Sequence, residues 1–404
     1  MSIKNIVVFV LVLLLAACSG GTPEPTATAT ETPARETATK TATVTATATI
    51  TSTPEPSATA TPAVIDVGPT NFPEGVNPLT GLAVADAELL NRRPIATKIQ
   101  LYPRYGRPPI GINAADAVWE YYHNGGITRL HVVFYGQDAE QFGPIRSARL
   151  PDNDLIQMYD SIFAYGSADQ RINNRLFNAS YAPYLVLEGA ASLCPPTPEN
   201  PMCRFEPAGQ NLLLSGTAEL SEYIVAEEGL TNERQDLDGL RFTSEMPGGG
   251  EANAALNLRY SADSYVRWEY DPDLGVYVRY QDARFDDGTG EEFELLTERE
   301  SEEAVTAANV VVVVAEHSYF VRSGGSEIVE IDLLGSGSAY VFRDGQVFEV
   351  FWSRPTADVL LTTVDAQGNP FPLKPGNTWY QVVGTSSNIT QPEADSYRFE
   401  SRIP

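Results

Sequence analysis

Very little of this 404-residue chain is cysteine, histidine or methionine, which number three, three and four. So few soft ligands, in no recognisable spacing, leave no metal motif and imply no cofactor. Long apolar runs are missing as well. The longest, Ile6 to Ala17, has twelve residues and spans roughly 18 Å as a helix, against ~30 Å of bilayer hydrocarbon, so it is too short to cross. Positive charge is scarce: 27 Lys and Arg against 53 Asp and Glu give a net charge of −26, which excludes nucleic acid as a partner because its phosphates would be repelled. Hydrolase signatures are absent too, with no Gly-x-Ser-x-Gly, Ser-x-x-Lys or His-Glu-x-x-His.

What is present begins with an address. A lone Lys4 precedes the short apolar run, and Leu15-Ala16-Ala17-Cys18 follows it, resembling a bacterial lipobox. Residues 1–17 therefore read as a lipoprotein signal peptide. Cys18 reads as the lipidation site, its thiol taking a diacylglyceryl group. Palmitate-like acyl chains, buried at about 0.8 kcal/mol per CH₂, would hold the protein on the extracytoplasmic face of the cell membrane. Residues 18–70 read as a disordered linker. From Gly21 to Asp66, 32 of 46 residues are Thr, Ala or Pro, too few large apolar groups to offset chain entropy. Such a coil reaches on the order of 35–40 Å.

The remaining chain is long enough and aromatic enough for two domains, expected at 71–245 and 246–398. Its charge is uneven. Residues 92–149 carry eight bases against four acids inside an otherwise acidic sequence. Cys194 and Cys203 bracket a proline-rich loop, and an oxidising compartment makes a disulfide the expected state of the pair.

Strands and short helices alternate in the first part. Strands are expected at Pro94–Gln100, Ala114–His123, Ile127–Tyr135, Ser161–Tyr165 and Tyr184–Leu187. Helices are expected at Pro151–Tyr159 and Asp169–Phe177, the second with Asp169 as N-cap. Asn124-Gly125 marks a hairpin. A two-residue turn there would set Glu120 opposite Arg129, whereas a three-residue loop would set Tyr121 there. After residue 245 strands dominate, nine of them from Asn257 to Val383, with turns at Asp271–Gly275, Asp344-Gly345 and Asp365–Gly368. The fold class is α+β: a mixed α/β domain followed by a largely antiparallel β domain.

Asn77-Pro-Leu-Thr-Gly-Leu82, Arg93-Pro-Ile, Ala115-Asp-Ala-Val-Trp-Glu120, Gly125-Gly-Ile-Thr-Arg129 and Gly143-Pro-Ile-Arg-Ser-Ala-Arg149 carry a resemblance in the first part. Trp268-Glu-Tyr-Asp, Asp332-Leu-Leu-Gly-Ser-Gly337, Phe342-Arg-Asp-Gly345 and Pro375-Gly-Asn-Thr-Trp379 carry it in the second. Together they resemble the YerB-like bacterial lipoprotein family, built on a paired domain of unknown function. The resemblance implies an envelope protein with two α/β-containing domains and brings no activity with it.

The sharpest chemical feature is Arg146-Ser147-Ala148-Arg149 with Arg129. Two guanidiniums, a hydroxyl and a helix start suit a phosphate or carboxylate. The alternative is that these arginines pair internally with Asp116, Glu120 or Asp154. The expected function is non-enzymatic binding of an anionic wall polymer, or of an envelope protein's acidic surface, at that patch. The contrasting readings are a wall-modifying hydrolase or transferase using Asp116 and Glu120, and a structural envelope scaffold.

Overall fold

A computed structural model describes residues 64–189, 193–206, 211–286, 290–323 and 326–403. The expected signal peptide, Cys18 and nearly all of the expected linker lie outside the described residues. Among those described, the protein is mostly β with three α-helices, in keeping with an α+β class.

The first part supplies β1 (Ile95–Ile99), β2 (Ala117–Asn124), β3 (Ile127–Phe134), α1 (Asp152–Tyr159), β4 (Ile162–Tyr165), α2 (Gln170–Phe177), β5 (Leu185–Leu187) and α3 (Thr217–Ala226). Asp169 caps α2 by accepting from the Arg171 N–H at 2.9 Å. The later part supplies β6 (Ala255–Arg259), β7 (Tyr265–Asp271), β8 (Val276–Asp282), β9 (Asn309–Ser323), β10 (Ser326–Asp332), β11 (Gly335–Arg343), β12 (Gln346–Arg354), β13 (Thr378–Gly384), β14 (Asn388–Glu393) and β15 (Ser396–Glu400).

A twelve-stranded sheet forms the centre. Its order is Glu251–Ala252, β12, β11, β9, β13, β2, β3, β1, β4, β5, with β10 paired to β9 and Thr362–Val364 paired to β12. The sheet passes straight through the expected boundary at 245: β13 lies parallel between β9 and β2, joining residues 378–382 to 117–121. Both faces are covered, which explains the unbroken valine run at 310–314 in β9. Alternation sends Val311 and Val313 to one face and Val310 and Val312 to the other. Leu155, Ile156, Ile172 and Leu176 of α1 and α2 pack on the first face. Leu220 and Ile224 of α3 pack on the second, together with a seven-stranded sheet built around β8, β7, β6, β15 and β14. That second sheet is antiparallel except where β6 runs beside β15.

The β2–β3 hairpin resolves the question of register. Gly125 and Gly126, with φ of 59° and 84°, form a tight turn that only glycine takes without strain, and Asn124 faces Ile127. The turn therefore lies one residue later than Asn124-Gly125. That placement alone would set Tyr122 opposite Arg129, and a bulge at His123 then shifts the ladder by one so that Tyr121 stands there and Glu120 faces Leu130.

Candidate functional site

Register and parity gather the cationic side chains. Lys98 of β1 faces His131 of β3, and Tyr121 of β2 faces Arg129 of β3. Alternation turns all four toward the face covered by α1. There the first residue of α1, Asp152, is fully enclosed. Its Oδ1 receives the Tyr121 hydroxyl at 2.5 Å and lies 2.9 Å from His131 Nδ1 and 3.2 Å from Lys98 Nζ, while its Oδ2 receives the Arg149 N–H at 2.6 Å. Burial opposes the Asp152 charge, but Lys98, His131 and Tyr121 outweigh it and hold the carboxyl well below its ordinary range. Burial drives Lys98 down to about 7, helped by Arg129 and opposed by Asp152.

The segment from Gly143 to Arg149 crosses the carboxyl ends of the parallel pair β1 and β4. The Arg146 N–H donates to Lys98 C=O at 2.9 Å, Gly166 N–H to Arg146 C=O at 3.1 Å, and Ala148 N–H to Ser167 C=O at 2.8 Å. The end of parallel strands is where α/β sheets characteristically open a ligand crevice. The carbonyl of Ser147 accepts from Arg129 Nη1 at 2.7 Å and from Arg149 Nη1 at 3.4 Å, so one turn holds two like charges side by side. Arg149 also donates from Nε to His123 Nδ1 at 3.0 Å and from Nη1 to Ala148 C=O at 2.9 Å. The Ser147 hydroxyl pairs with that of Ser167 at 2.8 Å.

Among the described residues, none of Arg129, Arg146 and Arg149 has a carboxylate within ion-pair distance. The acids that could have paired with them are engaged elsewhere. Asp116 accepts from Asn77 Nδ2 at 2.9 Å, Tyr135 N–H at 2.5 Å and Gly136 N–H at 2.9 Å. Glu120 pairs with Arg279 at 2.8 Å, and Asp154 pairs with Arg354 at 3.1 Å. Lys98, Arg129 and Arg149 therefore share the single enclosed carboxylate of Asp152, while Arg146 lies nearer Glu188 and Arg204. Burial, then Arg149 and Arg146, lower the Arg129 guanidinium to about 9, still charged at neutral pH.

Asp116 and Glu120 are not brought together. Asp116 lines a cavity of about 450 Å³ near Asn77 and Asn377, with a wall that is about half apolar. Burial raises its pKa to about 6, while the hydrogen bonds from Gly136, Tyr135 and Asn77 oppose the rise. Glu120 is buried under the second sheet, where it accepts from Thr128 at 2.8 Å and Gln381 at 3.1 Å. Cys194 and Cys203 are joined by a disulfide. His123, His131 and His317 share no site, and no group of three potential metal ligands occurs among the described residues.

Residues 79–193 match the profile described as "Protein of unknown function (DUF3048) N-terminal domain", and 256–380 match its C-terminal domain. The chain belongs to this YerB-like family. A Bacillus subtilis (strain 168) protein named "Putative lipoprotein YerB" is 27% identical over 318 residues, covering 76% of this chain and 85% of that one. The crystal structure of the YerB protein from Bacillus subtilis superposes with a TM-score of 0.61 at 24% identity, over 76% of this chain and 96% of that one, supporting the fold. The YerB-like motif Gly143–Arg149 is the stretch that carries two of the unpaired arginines, and Gly125–Arg129 carries the third.

Sequence reasoning missed Lys98, Tyr121, His131 and Asp152. A signal existed for one of them: Lys98 is the lone charge in an otherwise uncharged strand, Ile95–Ile99, and a buried charge needs a partner.

Proposed function

We propose that this protein is anchored through Cys18 to the extracytoplasmic face of the cell membrane and binds an anionic envelope ligand, a wall polymer or an acidic partner surface, at Arg129, Arg146, Ser147 and Arg149. The name of the YerB relative, the lipobox-like Leu15–Cys18 and the Cys194–Cys203 disulfide support the anchor and the compartment. One observation carries the binding reading: three arginines gather at the carboxyl end of a parallel strand pair, none with a carboxylate within ion-pair distance among the described residues. Packing alone would not favour such an arrangement, because buried like charges repel. An anion reverses that cost and gains charge-assisted hydrogen bonds.

Arg146 makes the cleanest test, since its side chain has no hydrogen bond or ion pair among the described residues. Full-length Arg146→Ala is expected to lose about tenfold in retention on immobilised, purified anionic wall polymer, the value of one charge-assisted contact. Its Tm should stay within about 1 °C of wild type, as for other surface substitutions away from structural features. Undiminished retention would overturn the proposal.

A further inference from the structure

A cavity of about 270 Å³ opens beside the arginine patch, walled by His123, Asn124, Arg149, Asp169, Glu327 and apolar side chains. At ~30 Å³ per liquid water it has room for roughly nine waters, or a small organic molecule. Opposite charges line it without meeting. Arg149 binds only an imidazole and two carbonyls. Glu327 accepts from the Tyr122 hydroxyl at 2.9 Å and the Gly125 N–H at 2.7 Å, and no Lys or Arg stands within ion-pair distance of it among the described residues. The remaining wall carboxylate, Asp169, is held by Arg171 at 2.7 Å.

Two further groups wait on the same wall. His123 is 3% exposed, and its Nε2 has no partner. Because Nδ1 accepts from Arg149, Nε2 carries the proton of the neutral ring and is an unused donor. Asn124 Oδ1 is a buried acceptor that makes no hydrogen bond within normal distance, although it lies close enough to the His123 ring to favour the charged imidazole. The cavity thus offers a cation and a donor from Arg149 and His123, and an anion and an acceptor from Glu327 and Asn124. A purely anionic molecule would satisfy the first pair and be repelled by Glu327. A neutral one would leave both charges uncompensated.

We infer that this cavity binds a small zwitterion, with its anionic group on Arg149 and His123 Nε2 and its primary ammonium on Glu327 and Asn124 Oδ1. The inference rests on the anion-binding reading, because Arg149 belongs to both. It names the chemistry of the ligand's head: an acidic group and an amine a few atoms apart, as in an amino acid or an aminoalkyl phosphate.

Titration calorimetry on the full-length protein in a nonionic detergent, with two near-isosteric pairs of compounds, tests it. Phosphoethanolamine is compared with 2-hydroxyethyl phosphate, and alanine with lactate. The amine-bearing member of at least one pair should bind about tenfold or more tighter, as expected for a hydrogen bond between charged groups, and the pair that responds identifies the acid as phosphate or carboxylate. Glu327→Gln should erase that preference, and the hydroxyl compound, no longer repelled by a carboxylate, should bind the variant more tightly than it binds wild type. Equal affinities within both pairs in the wild-type protein overturn the zwitterion inference whether or not the variant folds. The anion reading survives that result if the hydroxyl compounds bind and Arg146→Ala weakens them. Failure of all four compounds to bind, with Arg146→Ala also without effect on polymer retention, would end both readings.

Discussion

Glu120→Gln separates a structural carboxylate from a chemical one. Glu120 and Arg279 are each 1% exposed and meet at 2.8 Å between the two sheets. The Arg279 guanidinium lies 4.4 Å from the Trp379 ring centre and 5.3 Å from that of Trp268. Gln keeps the shape, and its amide can turn its oxygen toward Arg279 and Gln381 and its NH₂ toward the Thr128 hydroxyl. Charge is then all that is lost. Stranding a buried cation by removing its partner costs about 3–5 kcal/mol, and the surviving hydrogen bond and the contacts with the two indoles favour the lower end. With ~2.1 cal/mol/K of unfolding entropy per residue over roughly 340 folded residues, that cost lowers Tm by about 4–7 °C. Calorimetric melting of wild type and variant measures it, and polymer retention should be unchanged. An unaltered Tm would refute the assignment of Glu120 as half of a structural ion pair. Lost retention at an unaltered Tm would return it to the chemistry.

Two other perturbations have definite expected outcomes. His317 is buried with Nδ1 at 2.9 Å from Ala315 C=O, and burial lowers its pKa from 6.5 to about 4. The unfolded chain therefore takes up a proton that the folded one refuses, so stability present above pH 6.5 is lost as pH falls toward 4, about 3 kcal/mol in all. His317→Asn should reduce the fall in urea-unfolding free energy over that window by this amount relative to wild type. The comparison with wild type cancels the like-signed effects of His123 and His131 and the opposite effect of Asp116. Asp116→Ala removes the acceptor for two backbone N–H groups and Asn77, and should cost about 3 kcal/mol or more in urea unfolding. It should do so without altering anion binding at Arg146.

Local features of the fold were legible in the sequence. The Asp169 cap, the helix expected at Pro151–Tyr159, the hairpin itself, though its turn falls one residue after Asn124-Gly125, and the strands around Asp344-Gly345 follow from residue chemistry within a few positions of each other. The helix at Thr217–Ala226 and the terminal hairpin of β14 and β15 were missed, the helix because glycine rather than a side-chain acceptor starts it. The candidate site was half legible. Arg146 and Arg149 announce themselves by proximity in sequence, but whether they are paired depended on where Asp116, Glu120 and Asp154 point. Those directions are set by Tyr135, Arg279 and Arg354, between 19 and 200 residues away. Even the residue opposite Arg129 depended on two local details, a turn placed at Gly125-Gly126, which excludes Glu120, and one bulged residue, His123, which puts Tyr121 there in place of Tyr122.

The position of Thr378–Gly384 between Asn309–Ser323 and Ala117–Asn124 governs how the molecule can be assembled. The middle rung of the ladder is made almost last, so neither half can close its interior while the chain is still being synthesised. Cutting the gene at the midpoint would yield two fragments with bare, sticky margins rather than two working pieces. A swap of halves between relatives would succeed only if the segment from Thr378 onward came from the same parent as the hairpin it lies against.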